Sequence, residues 1–389
     1  MKVAARLPQP DADETALSAV LARMLEDDIA RAGGWISFEH FMERVLYAPG
    51  LGYYVAGAHK FGRGGDFVTA PELTPLFGAC LATQCAATLA HVGGGIVEFG
   101  GGSGRLAVSL LDALAAAGFD DVPYAIIELS PELRARQRAF IADTAPWLLA
   151  RVQWWQGPPA TPWTGVVIAN EIIDALPVVC FELADDAVWE RGVTSVPGTG
   201  FEWAARRVSA TLRDEILHAL PRPLAEYPHG YRSELNRRQA AWLADLPRFL
   251  ARGTVLLIDY GDDRVDHYHP LRRDGTLRCY YRQRVHGDPF WYPGVQDITA
   301  SVDFSALAAA AGAAGFEIGG FAEQAQFLIA CGITERLAAL DGEGAWRAAQ
   351  ALKILLLPDE MGSRVKCMTL TRGDAGRVVG SARDLRDRL

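Results

Sequence analysis

The residues best suited to chemistry in this 389-residue sequence form a glycine-rich run after a short apolar segment. Residues 96–99 are apolar except for Glu98, and Gly100, Gly102 and Gly104 follow at alternate positions. Glycine adopts positive φ and lets a ligand approach the main chain closely, and the N-terminus of a following helix favours polar ligand groups. Because a helical pattern follows at once, Glu98 and the three glycines are predicted to bind a nucleotide-type cofactor.

A second candidate is Glu128, at the end of the next predicted strand, residues 124–128. An acid at this distance from a glycine-rich loop binds ribose hydroxyls, so Glu128 is predicted to contact the cofactor. The alternative is that Glu128 stabilises the N-terminus of the helix that is expected to begin near Pro131.

Two classes of cofactor fit the glycine-rich run. The order E-x-G-x-G-x-G over residues 98–104 resembles the first motif of class I methyltransferases, which bind S-adenosylmethionine. Gly102, Gly104 and Ala107 also match the tolerant form of the dinucleotide fingerprint. The glycines alone therefore do not exclude a nicotinamide-dependent enzyme.

Polar residues also follow the continuous apolar run 166–169, which is predicted to be a strand buried on both faces. Asn170, Glu171 and Asp174 come next, and side chains at the carboxyl ends of parallel strands border the ligand crevice. Two acids suit a cationic acceptor, and a short helical turn would place both on one side. The alternative is that these acids only stabilise the start of a helix, and both interpretations stay open.

Helical and strand patterns alternate from residue 95 onward, which is typical of a doubly wound α/β fold with a mainly parallel sheet. The last predicted strand, residues 366–371, is placed at an edge of that sheet. The stretch after the fourth strand is too long for a simple connection and is interpreted as an inserted lobe. The predicted division is a helical N-terminal extension with a lid loop at 1–94, an α/β core at 95–175 and 251–372, a substrate-side lobe at 176–250 and a C-terminal tail at 373–389.

A glycine-rich loop at residues 62–71 contains a further acid, Asp66. Its glycines predict a mobile lid, and Asp66 is expected to reach the positive end of a cofactor or an acceptor. Thr69, two residues before Pro71, is predicted to cap the next helix, which is expected over residues 71–91.

Composition restricts the classes of function. The formal net charge is −9 and the pI is about 5.5, so the chain has no general attraction for nucleic acid. Its longest apolar runs are too short and too rich in alanine and glycine to predict a membrane span, and no signal peptide is expected. The six cysteines form no C-x-x-C pair, so we expect free thiols in the reducing cytoplasm and no metal site. A homo-oligomer is compatible with the sequence.

Several segments, in collinear order, resemble the MidA-like methyltransferases. They are residues 65–78, 98–104, 128–131, 169–177, 258–261, 275–280, 293–299 and 324–328. The resemblance implies a Rossmann-like class I fold with S-adenosylmethionine as cofactor. It also implies a protein substrate, because mitochondrial members of the family are complex I assembly factors that methylate an arginine of a complex I subunit.

With this resemblance, the sequence predicts an S-adenosylmethionine-dependent methyltransferase that acts on arginine of a partner protein, such as a respiratory complex I subunit. Residues 170–173 read Asn-Glu-Ile-Ile instead of Asn-Pro-Pro-aromatic, which argues against a nucleic-acid base as acceptor. Asn170 would position the acceptor or the cofactor, and Glu171 and Asp174 would hold and deprotonate a guanidinium. The alternatives are an NAD-dependent oxidoreductase and a non-catalytic S-adenosylmethionine-binding assembly factor.

Overall fold

The computed structural model describes residues 7–56, 69–184, 186–381 and 383–389. Asp66 and residues 62–68 of the predicted lid loop lie outside the described residues. Their roles therefore stay predictions from the sequence.

Helices form where apolar residues recur at helical spacing, and several of them follow a residue whose side chain caps the first turn. They are α1 (Ala12–Arg31), α2 (Phe38–Tyr47), α3 (Ala70–Leu73), α4 (Pro75–Val92), α5 (Arg105–Ala116), α6 (Pro131–Thr144), α7 (Ala210–Ala219), α8 (Arg238–Asp245), α9 (Arg264–His267), α10 (Phe304–Ala313), α11 (Gln324–Ala330), α12 (Ile333–Ala338) and α13 (Gly342–Leu356). The helix expected over 71–91 is divided at Thr74, whose hydroxyl accepts from the amide of Leu76 and caps α4. Thr69 stands at the N-cap of α3, but its side chain makes no capping hydrogen bond, so that part of the prediction is wrong.

Strands form along the apolar and alternating runs. They are β1 (Ile36–Ser37), β2 (Gly95–Phe99), β3 (Tyr124–Ile127), β4 (Val152–Trp155), β5 (Trp163–Asn170), β6 (Val179–Ala184), β7 (Ala187–Val196), β8 (Gly200–Arg207), β9 (Tyr231–Leu235), β10 (Leu250–Asp262), β11 (Arg278–Tyr281), β12 (Arg284–His286), β13 (Asp297–Thr299), β14 (Val302–Asp303), β15 (Glu317–Glu323) and β16 (Val365–Arg372). The strands predicted from residue 95 onward are present, with bounds that differ by a few residues.

Among the described residues the largest sheet has the order β15-β16-β10-β5-β2-β3-β4, with β14 paired to β10. Strands β4, β3, β2, β5 and β10 are parallel, whereas β16 is antiparallel to both of its neighbours. The predicted doubly wound α/β fold is confirmed. The predicted edge position of the last strand is wrong, because β16 pairs on both sides and β15 forms that edge. Residues 365–370 are all buried, as a strand inside a sheet requires.

Helix α4 covers one face of this sheet together with α5. Phe77, Leu81 and Cys85 of α4 are fully buried in the main hydrophobic cluster, which also contains Leu110 of α5. Within the described residues, α4 is the one helix long and apolar enough to cross a membrane, and 56% of it is buried inside the protein. Burial of this kind is what a core helix shows.

The chain divides into two compact units. Unit 1 comprises Met1–Val68, Ala175–Arg238 and Arg264–Ser301, and unit 2 comprises Thr69–Asp174, Gln239–Asp263 and Val302–Leu389. Unit 2 holds the large sheet, and unit 1 holds β8-β7-β6-β9, β1 and the small sheet β12-β11-β13.

These units differ from the predicted domains at several places. Residues 69–94 join the α/β core instead of the N-terminal extension, because α4 packs on β5 and β10. Residues 264–301 leave the predicted core, because β11, β12 and β13 pair with one another and not with the large sheet.

The C-terminal segment 373–389, which was predicted to be a separate tail, belongs to unit 2. Gln84 of α4 is fully buried and its side chain accepts from the amide of Val379 at 2.6 Å and donates to the carbonyl of Arg377 at 3.2 Å. The amide of Leu385 donates to the carbonyl of Phe321 on the edge strand β15 at 2.7 Å. The segment therefore covers backbone groups of an edge that would otherwise be open to pairing.

We expect Gln84→Leu to lower the free energy of unfolding by about 1–3 kcal/mol, because the partly buried amide of Val379 loses its acceptor. Urea denaturation of the whole chain measures this, with Gln350→Leu on the exposed side of α13 as the control. Equal stabilities of the two variants would show that the C-terminal segment is not held through Gln84.

Candidate active site

The glycine-rich run forms a tight loop between β2 and α5. Gly100, Gly102 and Gly104 have φ of 65°, 50° and 88°, which is the left-handed region that favours glycine. The amide of Gly104 donates to the carbonyl of Gly101 at 2.8 Å, and the amide of Gly100 donates to the carbonyl of Ile127 at 3.0 Å. The loop is therefore fixed to the end of β3 and turns directly into the N-terminus of α5.

The glycines of this loop differ in what surrounds them. A Cβ at Gly100 would lie 2.6 Å from Cδ1 of Ile172, and one at Gly101 would lie 2.6 Å from Cγ2 of Ile126, so both must be small for packing. A Cβ at Gly102 would meet no atom of the described residues within 4 Å. The main chain at Gly102 therefore faces open space, as a loop that binds a ligand closely requires.

Glu128 lies beside this loop and is 8% exposed. Its carboxylate accepts from the amide of Ser130 at 3.0 Å and from the side-chain amide of Gln137 at 3.2 Å. Gln137 also donates to the carbonyl of Gly102 at 3.0 Å and accepts from the indole of Trp154 at 2.9 Å. Burial raises the pKa of Glu128. The carboxylate touches the start of α6 and is also linked to the glycine loop, so this geometry fits both interpretations of Glu128 from the sequence.

Glu98 is 3% exposed and accepts a hydrogen bond of 2.8 Å from the hydroxyl of Tyr124. Burial, with a smaller contribution from the nearby Glu128 carboxylate, raises the pKa of Glu98 to about 8. Its observed contact is within the sheet beneath the loop, and direct contact with a cofactor stays a prediction.

Glu72 of α3 connects the segment before α4 to the glycine loop. Its carboxylate accepts from the hydroxyl of Ser103 and from Nε of Arg105, the latter at 3.0 Å, and its side chain is 9% exposed. Glu72 was not selected from the sequence as a site residue, because its contacts are with residues about thirty positions away.

The chain beyond β5 turns without forming a helix, so the predicted helical turn at residues 171–174 is wrong. Glu171 has φ of 54°, which a residue other than glycine adopts rarely and which breaks helical geometry. Glu171 is partly exposed, whereas Asp174 is 6% exposed. The spacing of three therefore gives no reason to place the two carboxylates on one side. The alternative of acids at a helix N-terminus is also wrong here.

Asn170 ends β5 and donates from its side-chain amide to Oε1 of Glu171 at 3.2 Å. Its Oδ1 is buried and has no hydrogen-bond partner among the described residues. The structure thus brings Asn170 and Glu171 together. The side chain of Ile172, in the same turn, packs against Gly100 of the glycine loop.

Asp259 of β10 fixes the same turn. It is 1% exposed, and its Oδ2 accepts from the amides of Ile172, Ile173 and Asp174 at 3.1, 2.8 and 3.3 Å. Burial raises the pKa of Asp259 to about 7, although these hydrogen bonds oppose the shift. Asp259 lies in the segment 258–261 that contributes to the family resemblance, but it was not selected from the sequence as a site residue.

Buried carboxyl groups lie within or just after four neighbouring strands, near the carboxyl ends of β2, β3 and β5 and in β10. Glu98, Glu128, Asp174 and Asp259 belong to β2, to the ends of β3 and β5, and to β10. Burying carboxylates is costly unless donors or cations compensate. The hydroxyl of Tyr124 supplies such a donor to Glu98, and main-chain amides supply donors to Glu128 and Asp259.

The strand order with an antiparallel β16, the glycine loop and the acid after β3 define a class I methyltransferase fold. A family model for S-adenosyl-L-methionine-dependent methyltransferases matches residues 80–322, more than half of the chain. The chain belongs to this family, the MidA-like S-adenosylmethionine-dependent methyltransferases, and its cofactor is S-adenosylmethionine.

Solved structures and curated proteins agree with this assignment. A crystal structure from Burkholderia thailandensis bound to S-adenosyl-homocysteine is 44% identical, with a TM-score of 0.93 over 99% of this chain and 100% of that chain. A native crystal structure from the same organism is 42% identical, with a TM-score of 0.90 and the same coverage. The Drosophila melanogaster "Protein arginine methyltransferase NDUFAF7 homolog, mitochondrial" is 29% identical over 76% of this chain and 71% of its own length. The Caenorhabditis elegans protein of the same name is 28% identical over 82% and 77%. The nicotinamide alternative is therefore discarded.

Proposed function

We propose that this methyltransferase transfers the methyl group to an arginine side chain of a partner protein. The observation that carries the proposal is the polar turn after β5, where Asn170 and Glu171 are hydrogen-bonded to each other next to the glycine loop. Bound S-adenosylmethionine supplies an electrophilic methyl group on a sulfonium, and the protein must place an acceptor nitrogen in line with it.

A guanidinium matches the acceptors that this turn offers. Its planar fork donates several N–H groups at once, and a carboxylate binds it more strongly than a neutral acceptor does. The buried Oδ1 of Asn170 and the carboxylate of Glu171 would take two of these donors. Asp174, which is more deeply buried, adds negative charge to the same turn and is proposed to support the cation.

The transfer forms a nitrogen–carbon bond and breaks the sulfur–carbon bond, so the nitrogen must lose a proton. Glu171 is the proposed acceptor of that proton, because it is the partly exposed carboxylate of the turn and can pass the proton to water. Glu98, Gly100, Gly102, Gly104 and Glu128 are proposed to hold the cofactor.

The names of the fly and nematode relatives, protein arginine methyltransferases, support this acceptor. Following the family resemblance, we propose a respiratory complex I subunit as the partner protein. The cytoplasm is proposed as the location from the cysteine pattern of the sequence. At 29% and 28% identity, the relatives support the reaction type more strongly than the partner.

The test is transfer of radiolabelled methyl from S-adenosylmethionine into a lysate of cells that lack the protein, followed by identification of the labelled residue. We expect label on arginine, and we expect Glu171→Gln to reduce transfer by about 100-fold or more, because it removes the charge and the proton acceptor but keeps the shape. Binding of S-adenosyl-homocysteine should be unchanged. Glu343→Gln on the surface of α13 is the matched control.

Two outcomes contradict the proposal. Label in nucleic acid or in a small molecule excludes a protein arginine as the acceptor. Full transfer activity in Glu171→Gln excludes the proposed role of the turn, even if the label is found on arginine.

A further inference from the structure

The geometry points to Asp259 as a positioning residue for methyl transfer, which holds the turn 171–174 in the conformation that presents the acceptor to the cofactor. This inference rests on the proposed role of that turn in binding the acceptor. It concerns a residue that would touch neither the acceptor nor the cofactor and would act through Asn170 and Glu171.

The hydrogen bonds of Asp259 converge on the main chain of the turn. One oxygen, Oδ2, accepts from three successive amides, and Oδ1 accepts from the amide of Tyr260 at 2.8 Å. Successive amides point to one atom only when the chain curls tightly, as in backbone nests that bind anions. Here the bound anion is a side chain of the neighbouring strand.

The turn is attached to β10 at two consecutive residues. The amide of Glu171 donates to the carbonyl of Ile258 at 2.8 Å, and the next three amides donate to Asp259. Together these bonds hold Glu171 at φ of 54°, a conformation that is unfavourable outside glycine and persists only when the surroundings enforce it. Loss of the Asp259 carboxylate would release that constraint.

The turn also contacts the glycine loop, which is proposed to hold the cofactor. Ile172, the first residue whose amide binds Asp259, packs against Gly100 of the glycine loop. A shift of the turn would therefore change the distance between acceptor and cofactor, to which in-line transfer is sensitive. If Asp259 served only to join β5 and β10, its substitution would change the stability of the protein but not this distance.

An ionised carboxylate suits this task better than an amide side chain. Hydrogen bonds to a charged acceptor are roughly twice as strong as neutral ones, and Asp259 must bind donors on both of its oxygens. In Asp259→Asn one of the two positions becomes an N–H group that faces a backbone N–H. The substitution keeps the size of the side chain and breaks part of the network.

The first experiment needs no variant. Hydrogen exchange of the wild-type chain should show slow exchange at the amides of Ile172, Ile173 and Asp174, although they lie in neither helix nor strand. Rapid exchange at these three amides would overturn the inference.

The second experiment measures methyl transfer into the lysate of cells that lack the protein, at varied concentrations of S-adenosylmethionine. For Asp259→Asn we expect kcat to fall by about 10-fold or more. The KM for S-adenosylmethionine and the affinity for S-adenosyl-homocysteine should be unchanged, and the three amides should exchange faster. The control is Asp263→Asn, which alters a buried acid four residues later that pairs with Arg388.

All rates are taken at a temperature where circular dichroism shows each variant folded, so a loss of stability alone does not lower kcat. An unchanged kcat in Asp259→Asn, or a decrease that follows lost cofactor affinity, would overturn the inference. If Asp259→Asn does not fold, Asp259→Glu, which keeps the charge and shifts the carboxylate, is measured in the same way and must also lower kcat. If the label is found on an acceptor other than arginine, the proposed function is refuted. A loss of kcat alone in Asp259→Asn would still support the role of Asp259.

Discussion

Gly102→Leu is expected to abolish binding of S-adenosylmethionine while the chain stays folded. A side chain at Gly102 would enter space that the described part of the chain leaves open, so no contact there is lost. That space borders the loop proposed to hold the cofactor, where any side chain would displace a ligand from the main chain. Calorimetry with S-adenosyl-homocysteine should show affinity reduced by about 100-fold or more, the scale expected when close backbone contacts are blocked.

The matched control for this substitution is Gly118→Leu. Gly118 has φ of 87° and also has nothing within 4 Å of its Cβ position, but it follows α5 at the other end of that helix. Both variants carry the same kind of backbone cost, about 1–2 kcal/mol for a side chain at positive φ. Equal cofactor affinity in the two variants would exclude the glycine loop as the binding site.

The sequence predicted features that depend on local pattern. The glycine loop, the strand before it and the helix after it are contiguous, and their residue types alone require a tight turn at a strand–helix junction. The parallel strands of the sheet were predictable in the same way, because each is a short apolar run between helices. These are the features on which the cofactor prediction depended.

The acceptor side was less predictable, because it depends on contacts between distant residues. Asp259 binds amides 85 to 87 positions earlier in the chain, and no local pattern marks an acid for that role. The predicted helical turn failed because Glu171 takes a φ of 54°, and the next three amides are held by the distant Asp259. Gln137 reaches Gly102 and Glu128 from the middle of α6, where a polar residue usually indicates only a solvated face.

The order of strands in space was also beyond local pattern. Residues 366–371 look like any half-buried strand, and nothing in them shows that they are inserted between β10 and β15. The packing of the C-terminal segment against β15 was equally hard to predict. The segment is held by Gln84, which binds backbone groups almost 300 positions later in the chain. Pairings of this length follow from tertiary packing and not from propensity.

Glu98→Gln is expected to stabilise the protein, by an amount that grows with pH. The pKa of Glu98 is raised from 4.5 to about 8, mainly by burial, so the folded state keeps a proton that the unfolded state releases.

The wild-type chain therefore loses stability relative to Glu98→Gln as pH rises from 4.5 through 8, and the two differ little below 4.5. At 1.36 kcal/mol per pKa unit, the difference above pH 8 is on the order of 5 kcal/mol. Glutamine can still accept the hydrogen bond of Tyr124, so the substitution removes the ionisable group and keeps the contact. Denaturant unfolding at pH 5, 6, 7 and 8 measures the difference, and Glu343→Gln on the exposed surface of α13 is the control. A difference that is constant across this range, or one that favours the wild-type chain at pH 8, would contradict a protonated Glu98 beneath the glycine loop.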